Sequence, residues 1–396
     1  MNWSMHLNLW NVAAENLWRH RRKTIAIFVP LMLAVTAFSA MSFIRDGMLK
    51  DALLATEILP DITVQAMIGG RAERLSVELG EHILKMKNVA RAAPRVWGYA
   101  PVRIGGDIFT YTLMGIDSGK MPGPGKIGLT IAHGRFLDTN DLDCAVIGKA
   151  VADHFHVAVG DGLDFGDELG NRGNFKIVGL FADDVQIYAA DLIIVPIRTA
   201  RKFFGYSDNE ATDLCVYLSD PSDTDAVCAD IRSSIKGSRV LDKKSVGDTA
   251  KQVYGSRAGV FQLMWIILLL AAMLTAWTEA SSANLHITHE IGVLKATGWS
   301  TMNVIEMKVF ENVIIAGTAT MGGMLLGLLY LLAGAPGIKE YFLGWAVIYP
   351  DMKIPVHVCA DTVGLILAIG FFPLLVATII PAWAAGTIDP DEAIRG

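Results

Sequence analysis

Residues 24–44 read TIAIFVPLMLAVTAFSAMSFI, a stretch without a charged side chain. About 20 apolar residues are enough for a helix to cross the hydrocarbon core of a bilayer. Three further apolar runs start near Val260, Val309 and Thr362, all in the last third of the chain. Residues 46–255 contain no such run. The pattern predicts one membrane helix, then a large polar domain, then three more membrane helices.

The expected fold class is an α-helical membrane protein with four transmembrane helices and an α+β extracytoplasmic domain inserted between helices 1 and 2. The transmembrane helices are expected at residues 24–45, 256–280, 301–333 and 359–381. The segments outside the membrane are an amphipathic helix (1–23), the large domain (46–255), a polar segment (281–300), a loop (334–358) and a tail (382–396).

Charge argues against nucleic acid as a partner. The formal net charge of the 396 residues is −6, and residues 46–255 account for all of it, with 29 acidic against 23 basic side chains. A protein that binds nucleic acid would show a basic face instead. The high apolar content, 52% of the residues, favours a membrane protein with a substantial soluble part.

The orientation follows from five consecutive basic residues, Arg19 to Lys23, directly before the first apolar run. Such blocks remain on the cytoplasmic side of the membrane. With four spans, both termini are therefore expected in the cytoplasm and the large domain outside it. Residues 1–23 place Trp and Leu at helical spacing, which favours a helix lying in the membrane interface; a helix packed against protein is the alternative.

The large domain is expected to alternate helices and strands. Helical spacing predicts helices at Arg71–Lys87, Ala145–Phe155, Pro196–Phe204 and Pro221–Ile235. Runs of β-branched and aromatic residues predict strands at Val96–Ile104, Ile108–Met114, Phe175–Phe181 and Asp191–Val195.

No motif for chemistry emerges. Residues 123–126 read GPGK and lack the spacing of a phosphate-binding loop. No ATP site, resident cofactor or enzymatic activity is therefore expected in this chain. The histidines His133, His154 and His156 do not define a metal site, because the sequence supplies no placed partners. The four cysteines have no CxxC spacing; small buried thiols are favoured, and a bridge between Cys215 and Cys228 is left open.

Three local features of the last third concern its helices. Gly323 and Gly327 enclose three leucines, a spacing that lets membrane helices approach closely, so we expect them in helix packing or at a dimer interface. Gly298 is a good helix stop, and Ser300 can cap the helix that follows. Glu311, near the entrance of that helix, is expected to pair with Lys308 or with a polar neighbour.

Two short segments carry a resemblance. Residues 289–298 read HEIGVLKATG, which is similar to an EIGxLKAxG segment, and residues 381–395 read PAWAAGTIDPDEAIR, which is similar to a Pro-Ala…Asp-Pro-x-Glu-Ala-Ile/Leu-Arg ending. Together with the order of the spans, they resemble the MacB/FtsX-like permeases of ABC transporters, the type VII or mechanotransmission systems.

The resemblance implies a permease without its own ATPase. A separate cytoplasmic ABC ATPase, which holds ATP and magnesium, would dock on a coupling helix and elbow at 281–300. The contact residues would be Glu290, Ile291, Leu294 and Lys295. A second permease copy or paralogue would complete a dimer in the bacterial inner membrane, and a periplasmic membrane-fusion protein is a further candidate partner.

The resemblance also implies two functions. The first is export or extraction of a periplasmic or membrane-borne substrate, such as a lipoprotein, peptide, lipid or small toxic molecule. The alternative is a signalling scaffold that switches a periplasmic enzyme, as in FtsX-like cell-division systems; the large external domain favours transport. A membrane-anchored enzyme lacks a candidate site.

Overall fold

The computed structural model describes residues 3–104, 107–121, 130–182, 189–255, 298–337 and 356–386, with helical positions 263, 266, 267, 270 and 274. The chain divides into two compact units. The helical unit comprises residues 1–47, 255–335 and 354–396, and the αβ unit comprises residues 48–254 and 336–353.

Long helices build the described part of the helical unit. They are α1 (Trp3–Arg19), α2 (Arg21–Ile58, whose last residues belong to the αβ unit), α8 (Thr301–Leu332) and α9 (Ala360–Gly386). Among the described residues, α2 and α8 are long and apolar enough to cross a membrane, and Ala360–Leu375 of α9 is a shorter apolar stretch.

The start of α8 has the predicted chemistry. Gly298 adopts φ +96°, a conformation that glycine reaches without steric cost. The Ser300 side chain accepts a hydrogen bond from the backbone N–H of Asn303 at 3.2 Å, as expected of an N-cap. The predicted cap is therefore confirmed, whereas the helix that Gly298 was expected to end lies outside the described residues.

In the described part of the αβ unit, eleven strands form a mixed sheet. Its strands are β1 (Ile62–Ile68), β2 (Arg71–Glu73), β4 (Val89–Ile104), β5 (Asp107–Ile116), β6 (Ile131–Gly134), β7 (Cys144–Ile147), β8 (Gly162–Gly166), β9 (Arg172–Phe181), β10 (Leu192–Pro196), β12 (Asp213–Leu218) and β13 (Ser238–Asp242). The spatial order is β13-β1-β12-β4-β5-β10-β7-β9-β6, with β2 beside β1 and β8 beside β9. The short strands β3 (Leu75–Ser76) and β11 (Glu210–Ala211) pair separately.

Short helices accompany the sheet. They are α3 (Glu78–Leu84), α4 (Lys149–Phe155), α5 (Ile197–Phe204), α6 (Thr224–Ser234) and α7 (Lys243–Tyr254). Alternation along the strands sends successive residues to opposite faces, so that Leu113 and Ile193 enter one core cluster while Met114 and Ile194 enter another. A third cluster surrounds Ile62 and Leu214 near α3 and α6.

Two of the predicted helices begin as strands. The predicted helix Arg71–Lys87 is wrong over its first half, because Gly69 and Gly70 adopt φ +56° and +82° and turn the chain back so that Ile68 pairs with Arg71. The predicted helix Ala145–Phe155 likewise starts within β7, and only Lys149–Phe155 is helical. The other two predicted helices and all four predicted strands are present.

The cysteine pair left open by the sequence is not bridged. Leu214 and Val216 of β12 face the cluster that contains Cys228, whereas Cys215 between them faces the opposite side of the sheet. Both thiols are free and buried. Burial raises the pKa of the Cys215 thiol to about 12, which keeps it protonated and unreactive at neutral pH.

Candidate functional site: helix contacts and the stalk

The four residues predicted to contact an ATPase, Glu290, Ile291, Leu294 and Lys295, lie outside the described residues. The described chain resumes three residues after Lys295, at the turn that leads into α8. Their role therefore stays a prediction from sequence.

Gly323 and Gly327 lie against α2 of the same chain. A Cβ atom built at Gly323 would come within 2.8 Å of the Met32 carbonyl oxygen, and one at Gly327 within 3.0 Å of the Thr36 carbonyl oxygen. Real Cβ atoms do not approach backbone this closely, so both positions need glycine for α2 and α8 to touch. The neighbour of this glycine pair is thus the first apolar helix.

A second close contact joins α8 to α9. A Cβ atom at Gly370 would lie 2.1 Å from the Thr320 hydroxyl oxygen, and Thr320 is fully buried. This contact was not predicted from the sequence, because no second glycine lies four residues from Gly370. In the sequence, the contact is indicated only by a glycine in the middle of an apolar run.

A buried polar cluster lies near the start of α8. The Lys308 Nζ donates to the Glu311 carboxylate at 2.9 Å, and both side chains are almost completely buried. The Asn16 side-chain amide of α1 donates to the same carboxylate at 2.6 Å. The predicted Lys308–Glu311 pair is therefore confirmed, and the additional hydrogen bond offsets part of the cost of burying the charges.

Helix α1 packs against α8 along one face. His6 contacts the Glu306 carboxylate, and the rings of Trp10 and Phe310 meet edge to face with centroids 5.4 Å apart. This packing matches the alternative interpretation of the first helix. Trp18 near its end nevertheless keeps 78% of its surface exposed.

A second buried polar cluster ties α2 to α9. The Asp46 carboxylate accepts from the Arg45 Nε at 3.0 Å and from the Thr362 hydroxyl at 2.6 Å. The Arg45 Nη2 also donates to the Thr362 Oγ1 at 2.9 Å. All three residues are buried. Because these hydrogen bonds all involve a charged group, the cluster resists separation of the two helices at this end.

The last turns of α2 enter the core of the αβ unit. Ile58 is buried beside Met114 and Ile194, and Leu54 packs against the same cluster. Helix α7 lies alongside: the Lys243 Nζ donates to the Glu57 carbonyl oxygen at 2.9 Å. We call residues 48–58 of α2, together with α7, the stalk.

Side-chain contacts on both faces of the sheet strengthen the part of the αβ unit that packs against the stalk. The Arg95 guanidinium binds both carboxylate oxygens of Asp213, at 2.9 and 2.8 Å, and the Trp97 indole N–H donates to the same group at 2.9 Å. On the other face, Tyr111 contacts His154, one of the histidines considered for a metal. Burial, followed by the nearby Asp191 carboxylate, raises the pKa of the Tyr111 phenol above its usual value.

The model of the MacB-like periplasmic core domain family matches residues 29–234, just over half of the chain. An uncharacterized ABC transporter permease of Methanocaldococcus jannaschii is 23% identical over 285 residues, which cover 68% of this chain and 66% of that protein.

Two named relatives are also similar. The lipoprotein-releasing system transmembrane protein LolC of Neisseria meningitidis is 23% identical, over 78% of this chain and 79% of its own length. The macrolide export ATP-binding/permease protein MacB of Hyphomonas neptunium is 22% identical, over 97% of this chain but only 60% of its own length.

Among solved structures, the periplasmic region of MacB from Actinobacillus actinomycetemcomitans aligns with 48% of this chain and 92% of its own length. Its TM-score is 0.37 and its identity 16%.

Proposed function

Because this chain belongs to the MacB/FtsX-like permeases of ABC transporters, with the MacB-like periplasmic core domain at residues 29–234, we propose that it relays the motion of a separate ATPase to that domain. The motion would drive export or extraction of a periplasmic or membrane-borne substrate. A lipoprotein, a peptide, a lipid and a small toxic molecule are the candidate substrate classes.

The observation that carries this proposal is the single helix α2. It starts with an apolar run long enough to cross a bilayer and ends in the core of the αβ unit, where Leu54 and Ile58 are packed. Its 38 residues correspond to about 57 Å of helix, whereas the hydrocarbon core measures about 30 Å. A single continuous helix would therefore connect the membrane-spanning run with the folded domain.

The membrane topology belongs to the same proposal. Four spans at 24–45, 256–280, 301–333 and 359–381 would place the domain in the periplasm and both termini in the cytoplasm of a bacterial inner membrane. Support comes from the basic block before the apolar run of α2 and from the apolar character of α2, α8 and α9.

The proposed partners follow from the resemblance. A cytoplasmic ABC ATPase would hold ATP and magnesium and would contact the coupling helix through Glu290, Ile291, Leu294 and Lys295. A second permease copy or paralogue would complete the complex, and a periplasmic membrane-fusion protein is a candidate for the outer side. The names of the relatives, a permease and an ATP-binding/permease protein among them, support the ATPase.

The test is charge reversal at the proposed coupling helix. We expect Glu290→Lys to reduce co-purification of the ATPase at least tenfold, because one new repulsive contact in a protein interface costs about 1.4 kcal/mol or more. Membrane insertion should not change, since position 290 lies outside the apolar runs. The measurement is the ATPase recovered per permease after purification in mild detergent.

The matched control is Asp230→Lys, the same charge change on the exposed side of α6 in the αβ unit. Its ATPase recovery should equal that of the unmodified chain. Normal recovery with Glu290→Lys would remove residue 290 from the interface. Mass spectrometry of the same preparations separates the two functions, because a co-purifying periplasmic hydrolase would favour the signalling scaffold over transport.

A further inference from the structure

An arginine cluster at the junction of α1 and α2 has no role in the contacts described above. Arg19, Arg21 and Arg22 are all exposed, and none makes an ion pair with another residue that the structure describes. The junction that presents them is compact: the Lys23 N–H donates to the His20 carbonyl oxygen at 2.9 Å, and the Thr24 hydroxyl donates to the Leu17 carbonyl oxygen at 3.1 Å. The three guanidinium groups are thus concentrated within four residues on an ordered turn.

Nearby negative charge does not neutralise this cluster within the described part of the chain. No Asp or Glu occurs between Glu15 and Asp46. On the neighbouring helix, the carboxylates of Glu306 and Glu311 are engaged by His6 and Lys308. The cluster is therefore a positive site that an external anion can approach.

An apolar stripe continues from the cluster along α2. Ile25, Val29 and Leu33 keep 55%, 37% and 57% of their surfaces exposed. They follow Arg22 at intervals of three and four residues, so all four lie on one side of the helix. The opposite side, with Ile27, Leu31 and Val35, is buried. Trp18, exposed at 78%, precedes the cluster, as is typical of tryptophan at a membrane interface.

From this arrangement we infer that Trp18, Arg19, Arg21 and Arg22, with the stripe Ile25, Val29 and Leu33, form a binding site for an anionic phospholipid. The phosphate binds the guanidinium groups, and one acyl chain lies along the stripe. A phospholipid fits this arrangement better than a soluble anion does. A soluble anion would contact the positive cluster but leave the apolar stripe unoccupied. The inference goes beyond the proposed relay and needs only the membrane location of α2.

The experiment measures lipid affinity of the full-length protein by native mass spectrometry in detergent, with phosphatidylglycerol and phosphatidylcholine of identical acyl chains as probes. The unmodified chain should bind phosphatidylglycerol more tightly. The triple variant Arg19→Gln, Arg21→Gln, Arg22→Gln should lose that preference. Each basic residue near a membrane surface strengthens anionic lipid binding roughly fivefold, so three should change the affinity about a hundredfold.

Two controls keep the result interpretable. The triple Lys85→Gln, Lys87→Gln, Lys236→Gln makes the same charge change on exposed positions of the αβ unit and should keep the preference. The triple Arg→Lys variant at 19, 21 and 22 keeps the basic block that orients the membrane helix, and should lose only part of the affinity because lysine cannot bind phosphate in bidentate fashion. Protease accessibility of residues 48–254 in spheroplasts reports orientation separately, so a failed orientation is distinguished from failed lipid binding.

Several outcomes would overturn the inference. They are equal binding of both lipids by the unmodified chain, an undiminished preference in the glutamine triple, and displacement of phosphatidylglycerol by millimolar inorganic phosphate. A photo-crosslinker at Val29 that captures another helix or a second copy instead of lipid would also overturn it.

Discussion

At the scale of single residues, the buried ion pair of Arg95 and Asp213 should dominate the stability of the αβ unit. Asp213 is fully buried, and both Arg95 and the Trp97 indole depend on its carboxylate. In Asp213→Ala the guanidinium would stay buried without its counter-charge. We expect the free energy of unfolding to fall by about 3–5 kcal/mol, measured by urea titration with pulse proteolysis of the full-length protein.

The control for this prediction is the exposed pair of Arg103 and Glu168 on the same sheet, with distances of 3.3 and 3.4 Å. Glu168→Ala should cost less than about 1 kcal/mol, because water replaces the lost carboxylate. Equal losses for the two variants would contradict the argument that burial decides the cost.

Among these polar contacts, only the one between residues close in the sequence could be predicted. Lys308 and Glu311 are three residues apart on one helix, so their pairing could be predicted. Arg95 and Asp213 are 118 residues apart, and Arg45 and Thr362 are 317 apart. No local pattern reports such pairs, because the fold alone brings them together.

At the scale of elements, the spacing of apolar residues does not distinguish one helix from a strand followed by a helix when both pack into the same core. Leu75 and Ile83 are both buried in the same cluster, one on β3 and the other on α3. Their spacing therefore suits one helix as well as a strand followed by a helix. The turn at Gly69 and Gly70 decides between the two, and a glycine pair next to a strand is the signal that could have predicted it.

The contact between α2 and α8 yields a prediction for Gly323. In Gly323→Leu the new side chain would collide with the Met32 carbonyl oxygen and with Val35. Overpacking of this kind costs about 1–3 kcal/mol or more, so we expect the two helices to separate and the protein to aggregate at a lower temperature. Fluorescence-detected size-exclusion chromatography after heating in detergent measures this.

The matched control is Gly364→Leu on α9, where a Cβ atom has no neighbour within 4 Å among the described residues. It makes the same substitution in an apolar helix and should leave the aggregation temperature close to that of the unmodified chain. A similar loss for both variants would point to a general intolerance of leucine at these glycines.

At the scale of the whole molecule, the proposed relay requires α2 to stay intact between its apolar run and the sheet. Lys50 lies in this part of the helix. Lys50→Pro would break the helix at a cost of about 3 kcal/mol without altering the apolar run. We expect the complex to form and hydrolyse ATP, but nucleotide should no longer change the protease sensitivity of the αβ unit. Limited proteolysis of the reconstituted complex, with and without ATP, measures this.

Lys50→Ala is the control, because it removes the side chain and keeps the helix. It should preserve the nucleotide-dependent change. If Lys50→Pro behaves in the same way, α2 does not carry the motion, and the proposed relay would have to use another connection. The prediction is independent of the substrate.

The overall plan of the molecule was easier to predict than its site. Apolar runs mark candidate spans directly: α2, α8 and α9 begin within three residues of the expected starts, and most of the expected second span, 256–280, lies outside the described residues. The residues expected to contact the ATPase are harder to predict, because the role of surface residues on a coupling helix depends on the partner protein. They remain predictions from the motif at 289–298.

The polar clusters that flank the apolar run of α2 also set a length. The basic block ends at Lys23 and the cluster of Arg45, Asp46 and Thr362 begins 22 residues later, which is about 33 Å of helix. This is close to the average hydrocarbon thickness of about 30 Å. The apolar run of α2 is therefore long enough to span a bilayer of ordinary thickness. A thinner bilayer would make α2 tilt, and a thicker one would draw its charged ends towards the lipid tails, so the stability of the helical unit is expected to depend on bilayer thickness.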